Sequence, residues 1–210
     1  MERLFITGIG TDVGKTFVSA ILTEALQADY WKPVQAGLEP STDAGTVRSL
    51  VQNPISHFFP ERYRLLMPAS PHAAAAAEGI TIQLQDFALP ATQNHLLVEG
   101  AGGLLVPLAP GLLIADLVKH LELAVVVVSR NYLGSINHTL LTLEALQARG
   151  IRVRGLVFNG EPNPATEEFI SQHTGVPLMP RVRQEAAITA EVVGQYAQEF
   201  REWFGQAPLT

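Results

Sequence analysis

An α/β fold, with a mostly parallel, doubly wound sheet and helices on both faces, is predicted by three features of the 210-residue chain. Short apolar, β-rich runs alternate with longer segments of helical period, the order that threads helices between parallel strands. Val125-Val126-Val127-Val128 is apolar on both faces, as a central strand covered by helices must be. The first apolar run passes through a Gly-rich loop directly into a helix. No repeat, low-complexity linker or boundary interrupts the pattern, so residues 1–210 read as one domain.

Taken in order, residues 3–8 form the first strand and residues 15–27 an amphipathic helix. Residues 30–34 give a second strand. Residues 53–70, rich in Pro and aromatics, read as an irregular surface excursion. Ala-rich residues 72–78 and residues 83–87 add short helical pieces. Residues 95–99 form the third strand and 114–121 a helix. The valine-rich run 123–129 is the fourth strand, followed by a helix over 137–149. Residues 152–159 form the fifth strand, 164–173 a helix, 176–182 a weaker sixth strand, and 186–204 a helix.

Composition narrows the function. Charged residues make up 16% of the chain and hydrophobic ones 47%, which excludes disorder. Fourteen Lys and Arg against twenty Asp and Glu, a net charge of −6, provide neither a nucleic-acid footprint nor a basic membrane patch. With no Cys there is no disulfide framework, thiolate zinc site or cysteine nucleophile. The N-terminus carries no signal-peptide pattern, and no apolar run is long enough to span a bilayer. The expectation is a cytoplasmic protein without membrane or nucleic-acid partners.

Gly8-Ile9-Gly10-Thr11-Asp12-Val13-Gly14-Lys15-Thr16 stands between a strand and a helix, the context a P-loop requires. Its backbone N–H groups and the helix N-terminus cradle phosphate. Lys15 would reach the β- and γ-phosphates, and the Thr16 hydroxyl would ligate Mg²⁺. The spacing departs from the plain pattern, because Ile9 stands where its first Gly is expected. The chain is therefore predicted to be a single-domain P-loop NTPase.

Ligands of open α/β sheets bind at the carboxyl ends of the strands. There the sequence places Lys32, held extended by Pro33, and Glu99, an acidic residue after an apolar strand where such enzymes hold Mg²⁺. Gly100-Ala101-Gly102-Gly103 behind Glu99 permits close backbone approach. Asp43 reads either as the cap of a helix or as a metal ligand. Ser135 or Asn137 can cap the helix that follows, whose N-terminus can also receive a carboxylate. Asn159 suits a turn or a base edge equally. The histidines have no metal-ligand spacing.

Gly8 to Thr16, Lys32-Pro33-Val34, Ser70-Pro71-His72, Val98-Glu99-Gly100-Ala101-Gly102-Gly103 and Leu133-Gly134-Ser135-Ile136-Asn137-His138 together resemble the dethiobiotin synthetases, the ATP-dependent cyclising enzymes of biotin biosynthesis. The resemblance covers about residues 3 to 160. It implies a reaction of 7,8-diaminopelargonic acid, carbon dioxide or bicarbonate, and ATP as co-substrate, through a carbamate and a carbamic–phosphoric anhydride. It implies an ATP site formed by Asp12, Val13, Gly14, Lys15, Thr16, Phe17, Asp43, Glu99, Gly100, Ala101, Gly102, Asn159 and Gly160, with Asn159 reading adenine. It further implies Mg²⁺ on Thr16, Asp43 and Glu99, and catalytic roles for Lys15, Lys32 and Thr11. The substrate site would comprise Lys32, Ala36, Gly37 and Gly102. Ser135, Ile136 and Asn137 would come from the neighbouring subunit of a homodimer. The chain departs from the family's usual pattern at Ile9-Gly10, at Ala36 and at Arg183-Gln184-Glu185. The competing readings are another small-molecule phosphotransferase and a ParA/MinD-like ATPase switch. The latter carries a lysine early in the phosphate loop, and residues 8–14 contain none.

Overall fold

The computed structural model describes residues 1–206; residues 207–210 of the predicted domain lie outside the described residues. The chain runs β1 (Arg3–Gly8), α1 (Lys15–Leu26), β2 (Asp29–Trp31), β3 (Val34–Ala36), α2 (Asp43–Leu50), β4 (Phe58–Phe59), β5 (Tyr63–Leu65) and α3 (Pro71–Ala77). It continues through β6 (Leu96–Gly103), β7 (Pro107–Ala109), β8 (Leu112–Leu113), α4 (Ile114–His120), β9 (Ala124–Arg130), α5 (Ser135–Ala148), β10 (Val153–Asn159), α6 (Pro164–Thr174) and α7 (Ala190–Gln206).

Six parallel strands form the central sheet in the order β10-β9-β1-β6-β2-β4. Alternate residues of each strand serve opposite faces. Leu4, Ile6, Leu97, Val126 and Val128 pack with α1, α2 and α7, while Phe5, Val98, Val125 and Val127 pack with α4, α5 and α6. All nine side chains are fully buried. Each contributes about 1.5–3 kcal/mol by leaving water. The doubly wound, helix-covered sheet is the fold expected, and its strands deliver their carboxyl ends to one rim.

Local departures have identifiable causes. The single strand expected at 30–34 is split, because Pro33 has no N–H for the ladder; β2 stays in the main sheet while β3 pairs with β5 in a separate two-stranded sheet. Residues 53–70 are therefore not wholly irregular: they hold β4, at the sheet edge, and β5. The third strand does not end at Glu99 but runs on to Gly103. Gly100 permits this, since a Cβ there would lie 2.8 Å from the Phe5 ring of β1. α5 starts at Ser135, earlier than expected; Gly134, at φ 101°, is its N-cap, and neither Ser135 nor Asn137 caps it. Residues 176–182, interrupted by Pro177 and Pro180, make only two isolated bridges to β10 rather than a strand. The last helix begins at Ala190, leaving residues 183–189 as a loop, and residues 83–87 reduce to one 3₁₀ turn.

Candidate functional site

The phosphate loop is built by backbone geometry. Gly14 adopts φ 91° at the N-cap of α1, and no side chain caps that helix, which leaves its first N–H groups for an anion. Ile9 N–H donates to the Val128 carbonyl of β9 at 3.1 Å, anchoring the loop on the sheet. The Lys15 ammonium folds back and donates to the Gly10 carbonyl at 2.9 Å. Burial holds this amine below the ordinary lysine range, against the opposing Glu99 charge.

Next to the loop the rim gathers opposite charges. The Thr16 hydroxyl lies 3.2 Å from Asp43 Oδ1 and 3.0 Å from Glu99 Oε1, with one proton to donate between them. Lys32, almost fully buried, ion-pairs with Asp43 and, at 3.2 Å, with Glu99 Oε1, and donates to the Gly100 carbonyl at 3.0 Å. Burial alone would lower the Lys32 amine; the Glu99 and Asp43 carboxylates outweigh it and raise it. Burial likewise would raise the Asp43 carboxyl, and the Lys32 charge with bonds from Lys32 and Thr16 holds it low. The capping role open to Asp43 is taken by Thr42, whose hydroxyl accepts from Gly45 N–H, and this leaves the Asp43 carboxylate for the rim. A hydroxyl and two carboxylates converging at a phosphate loop are the hard oxygen donors that Mg²⁺ takes beside phosphate and water. The residues present fit that ion.

Two further side chains hydrogen-bond to residues of this cluster. Tyr30 donates to Glu99 Oε2 at 2.9 Å, and burial, then the Glu99 charge, pushes its phenol well above the ordinary tyrosine value. Gln35 accepts from Asp43 N–H at 3.0 Å and donates to the Gly37 carbonyl at 2.9 Å.

A cleft of about 690 Å³ opens above the cluster. It brings together Thr11, Asp12, Gly14, Lys15, Thr16, Phe17, Lys32, Ala36, Asp43, Glu99, Ala101 and Gly102 of the residues singled out in the sequence. Val13, Gly37 and Gly100 are buried and do not line the cleft. Asn159 and Gly160 are outside the lining. The Asn159 amide donates to the Val13 carbonyl at 2.9 Å, so it braces the loop from behind. Ser135 is buried, and Ile136 and Asn137 line a separate groove with Tyr132 and Phe169. Sequence reasoning did not single out Tyr30, Gln35, Thr46, Val106 or Ile188. Gln35 was within reach, since it directly follows Lys32-Pro33-Val34; Ile188 sits in a loop without a motif.

A family model described as an AAA domain matches residues 2–192. The ATP-dependent dethiobiotin synthetase BioD of Cytophaga hutchinsonii is 53% identical over 97% of this chain and 100% of its own length. That of Christiangramia forsetii is 50% identical over 96% and 97%. Among solved structures, the MinC:MinD cell division protein complex of Aquifex aeolicus superposes with TM-score 0.61 at 11% identity, covering 100% of this chain and 99% of that one. The Pyrococcus furiosus cell division ATPase MinD does so with TM-score 0.58 at 15%, covering 97% and 100%. At such identities these structures share the fold alone. Identity near one half, sustained over essentially the whole length of the synthetases, makes the chain a member of the ATP-dependent dethiobiotin synthetase family.

Proposed function

We propose that the protein is a cytoplasmic, ATP- and Mg²⁺-dependent cyclo-ligase that closes the ureido ring of dethiobiotin from 7,8-diaminopelargonic acid and carbon dioxide. One amine of the diamine adds to carbon dioxide, forming the C–N bond of a carbamate and releasing a proton. A carbamate oxygen then attacks the γ-phosphorus of ATP and displaces ADP. Finally the second amine attacks the carbamoyl carbon and closes the ring. The C–O bond breaks, and phosphate leaves with that oxygen.

The observation that carries this reading is the Lys32 ammonium, buried at the meeting point of the phosphate loop, the carboxylate pair and the cleft. Each step develops or moves negative charge, so the protein's task is positioning and neutralisation. Lys32 orients the carbamate, Lys15 and the N–H groups of α1 hold the transferring phosphoryl group, and Thr11 and Asp12 flank it. Thr16, Asp43 and Glu99 would hold Mg²⁺, which when bound neutralises phosphate charge. Val34, Ala36, Pro71 and Val106 give the cleft apolar wall for the alkyl chain.

A homodimer with shared sites is part of the proposal. It is supported by the exposed Tyr132, Leu133, Leu141 and Phe169, the first two bordering the segment Ser135 to Asn137. Phosphate release from ATP and Mg²⁺ tests the function. Release that needs both the diamine and bicarbonate is expected; diamine-dependent ADP formation that is indifferent to bicarbonate and frees no phosphate points instead to a phosphotransferase.

A further inference from the structure

We propose that Tyr30 is a positioning residue for the metal site, its hydroxyl fixing Glu99 so that a single carboxylate oxygen faces the cleft. The proposal rests on Glu99 being a metal ligand, and no motif of the chain includes Tyr30.

The geometry divides the Glu99 carboxylate in two. Oε2 accepts from the Tyr30 hydroxyl at 2.9 Å in a fully enclosed contact. Oε1 faces Thr16 Oγ1 at 3.0 Å and Lys32 Nζ at 3.2 Å. Tyr30 has little freedom to do otherwise. It is fully buried on β2, in register with Leu97 of the strand that carries Glu99, and its N–H donates to the His57 carbonyl at 2.8 Å. Its ring rests on Phe58 with centroids 6.0 Å apart. A carboxylate with one oxygen occupied by a fixed donor cannot turn both oxygens to a cation. Glu99 then gives one oxygen and leaves the remaining positions of a small, six-coordinate ion to Thr16, Asp43, phosphate and water. Partners that orient a ligand in this way alter metal affinity by about 10–100-fold when removed.

The test is Mn²⁺ binding to the full chain with ADP, read from the electron paramagnetic resonance of free Mn²⁺ and independent of turnover. Tyr30→Phe is expected to weaken Mn²⁺ about tenfold, and Glu99→Gln to weaken it at least as much. Phe58→Leu, which loosens the ring's packing and spares the hydroxyl, is expected to lower Tm and leave Mn²⁺ affinity unchanged. Wild-type affinity in Tyr30→Phe beside a weakened Glu99→Gln overturns the role of Tyr30 and leaves Glu99 a ligand. Wild-type affinity in Glu99→Gln overturns the ligand reading and the proposal with it. An equal loss in Phe58→Leu assigns the effect to packing and also overturns it. Should Tyr30→Phe not fold, the wild-type chain labelled with 3-fluorotyrosine provides the readout. Its Tyr30 ¹⁹F resonance, assigned by replacing the other tyrosines, is expected to shift when Mg²⁺ joins bound ADP, and an unmoved resonance overturns the proposal.

Discussion

Asn159, at the end of β10, stands so close behind Gly14 that a Cβ on Gly14 would come within 2.0 Å of its amide nitrogen. The same nitrogen donates to the Val13 carbonyl at 2.9 Å. The strand end thus holds the phosphate loop in shape from its far side, and Gly14 is required twice over, for its φ of 91° and for this approach.

Gly14→Ala should therefore weaken ATP binding tenfold or more, since a left-handed alanine alone costs about 1–2 kcal/mol before the clash is counted. Asn159→Ala separates two roles. As a brace of the loop, Asn159 is expected to matter as much for inorganic tripolyphosphate as for ATP. If calorimetry finds tripolyphosphate binding unchanged and ATP binding weakened, Asn159 acts on the base instead.

Lys32→Ala removes the cation that faces both carboxylates. Turnover should fall by about 10²–10³-fold, the scale for deleting one fixed charge-stabilising donor, with ATP affinity nearly retained. The variant also leaves Glu99 buried with a partner missing, which costs about 3–5 kcal/mol and should appear as a lower Tm. Steady-state rates and nucleotide binding measured on the same sample check both parts. Unchanged turnover removes Lys32 from the mechanism.

Asp43→Asn, like Glu99→Gln, should raise the Mg²⁺ concentration needed for half-maximal rate by about tenfold or more. A Mg²⁺ titration superimposable on that of wild type takes Asp43 out of the metal site.

Asp29 makes the acid limit of stability readable. Burial would raise its carboxyl, but donors from Thr92, Asn94 and the His57 backbone outweigh it and hold it below the ordinary 3.8. A folded value below the unfolded one stabilises at pH above about 4, and this contribution is lost as pH falls through the folded value. Asp29→Asn is expected to reduce stability at neutral pH and to flatten its decline below about pH 4. Parallel denaturation curves for both proteins across that range would show that Asp29 does not contribute.

The sheet was legible because its signals are local: Val125 to Val128 announces a central strand, and Gly14-Lys15-Thr16 a phosphate loop. Lys32, Asp43 and Glu99 could be picked out singly, and their convergence follows from strand order, which brings β2 and β6 side by side. Other features depended on contacts far apart in sequence. Nothing near Tyr30 announces Glu99, since that bond spans 69 positions. The third strand was expected to stop at Glu99, and its extension to Gly103 needs a Gly at position 100 because of the Phe5 ring of β1, a contact distant in sequence. Residues 176–182 had strand composition, but Pro177 and Pro180 withhold the N–H groups a ladder needs.

The fate of one oxygen tests the proposed chemistry most directly. If a carbamate oxygen attacks ATP and leaves with phosphate on ring closure, ¹⁸O-labelled bicarbonate should deliver one ¹⁸O to each phosphate, provided the reaction is quenched before the label exchanges with water. Mass spectrometry of phosphate from the wild-type enzyme with ATP, Mg²⁺ and the diamine reads this in one experiment. Singly labelled phosphate is the expected result, and phosphate without label, formed alongside the ring product, contradicts the anhydride route.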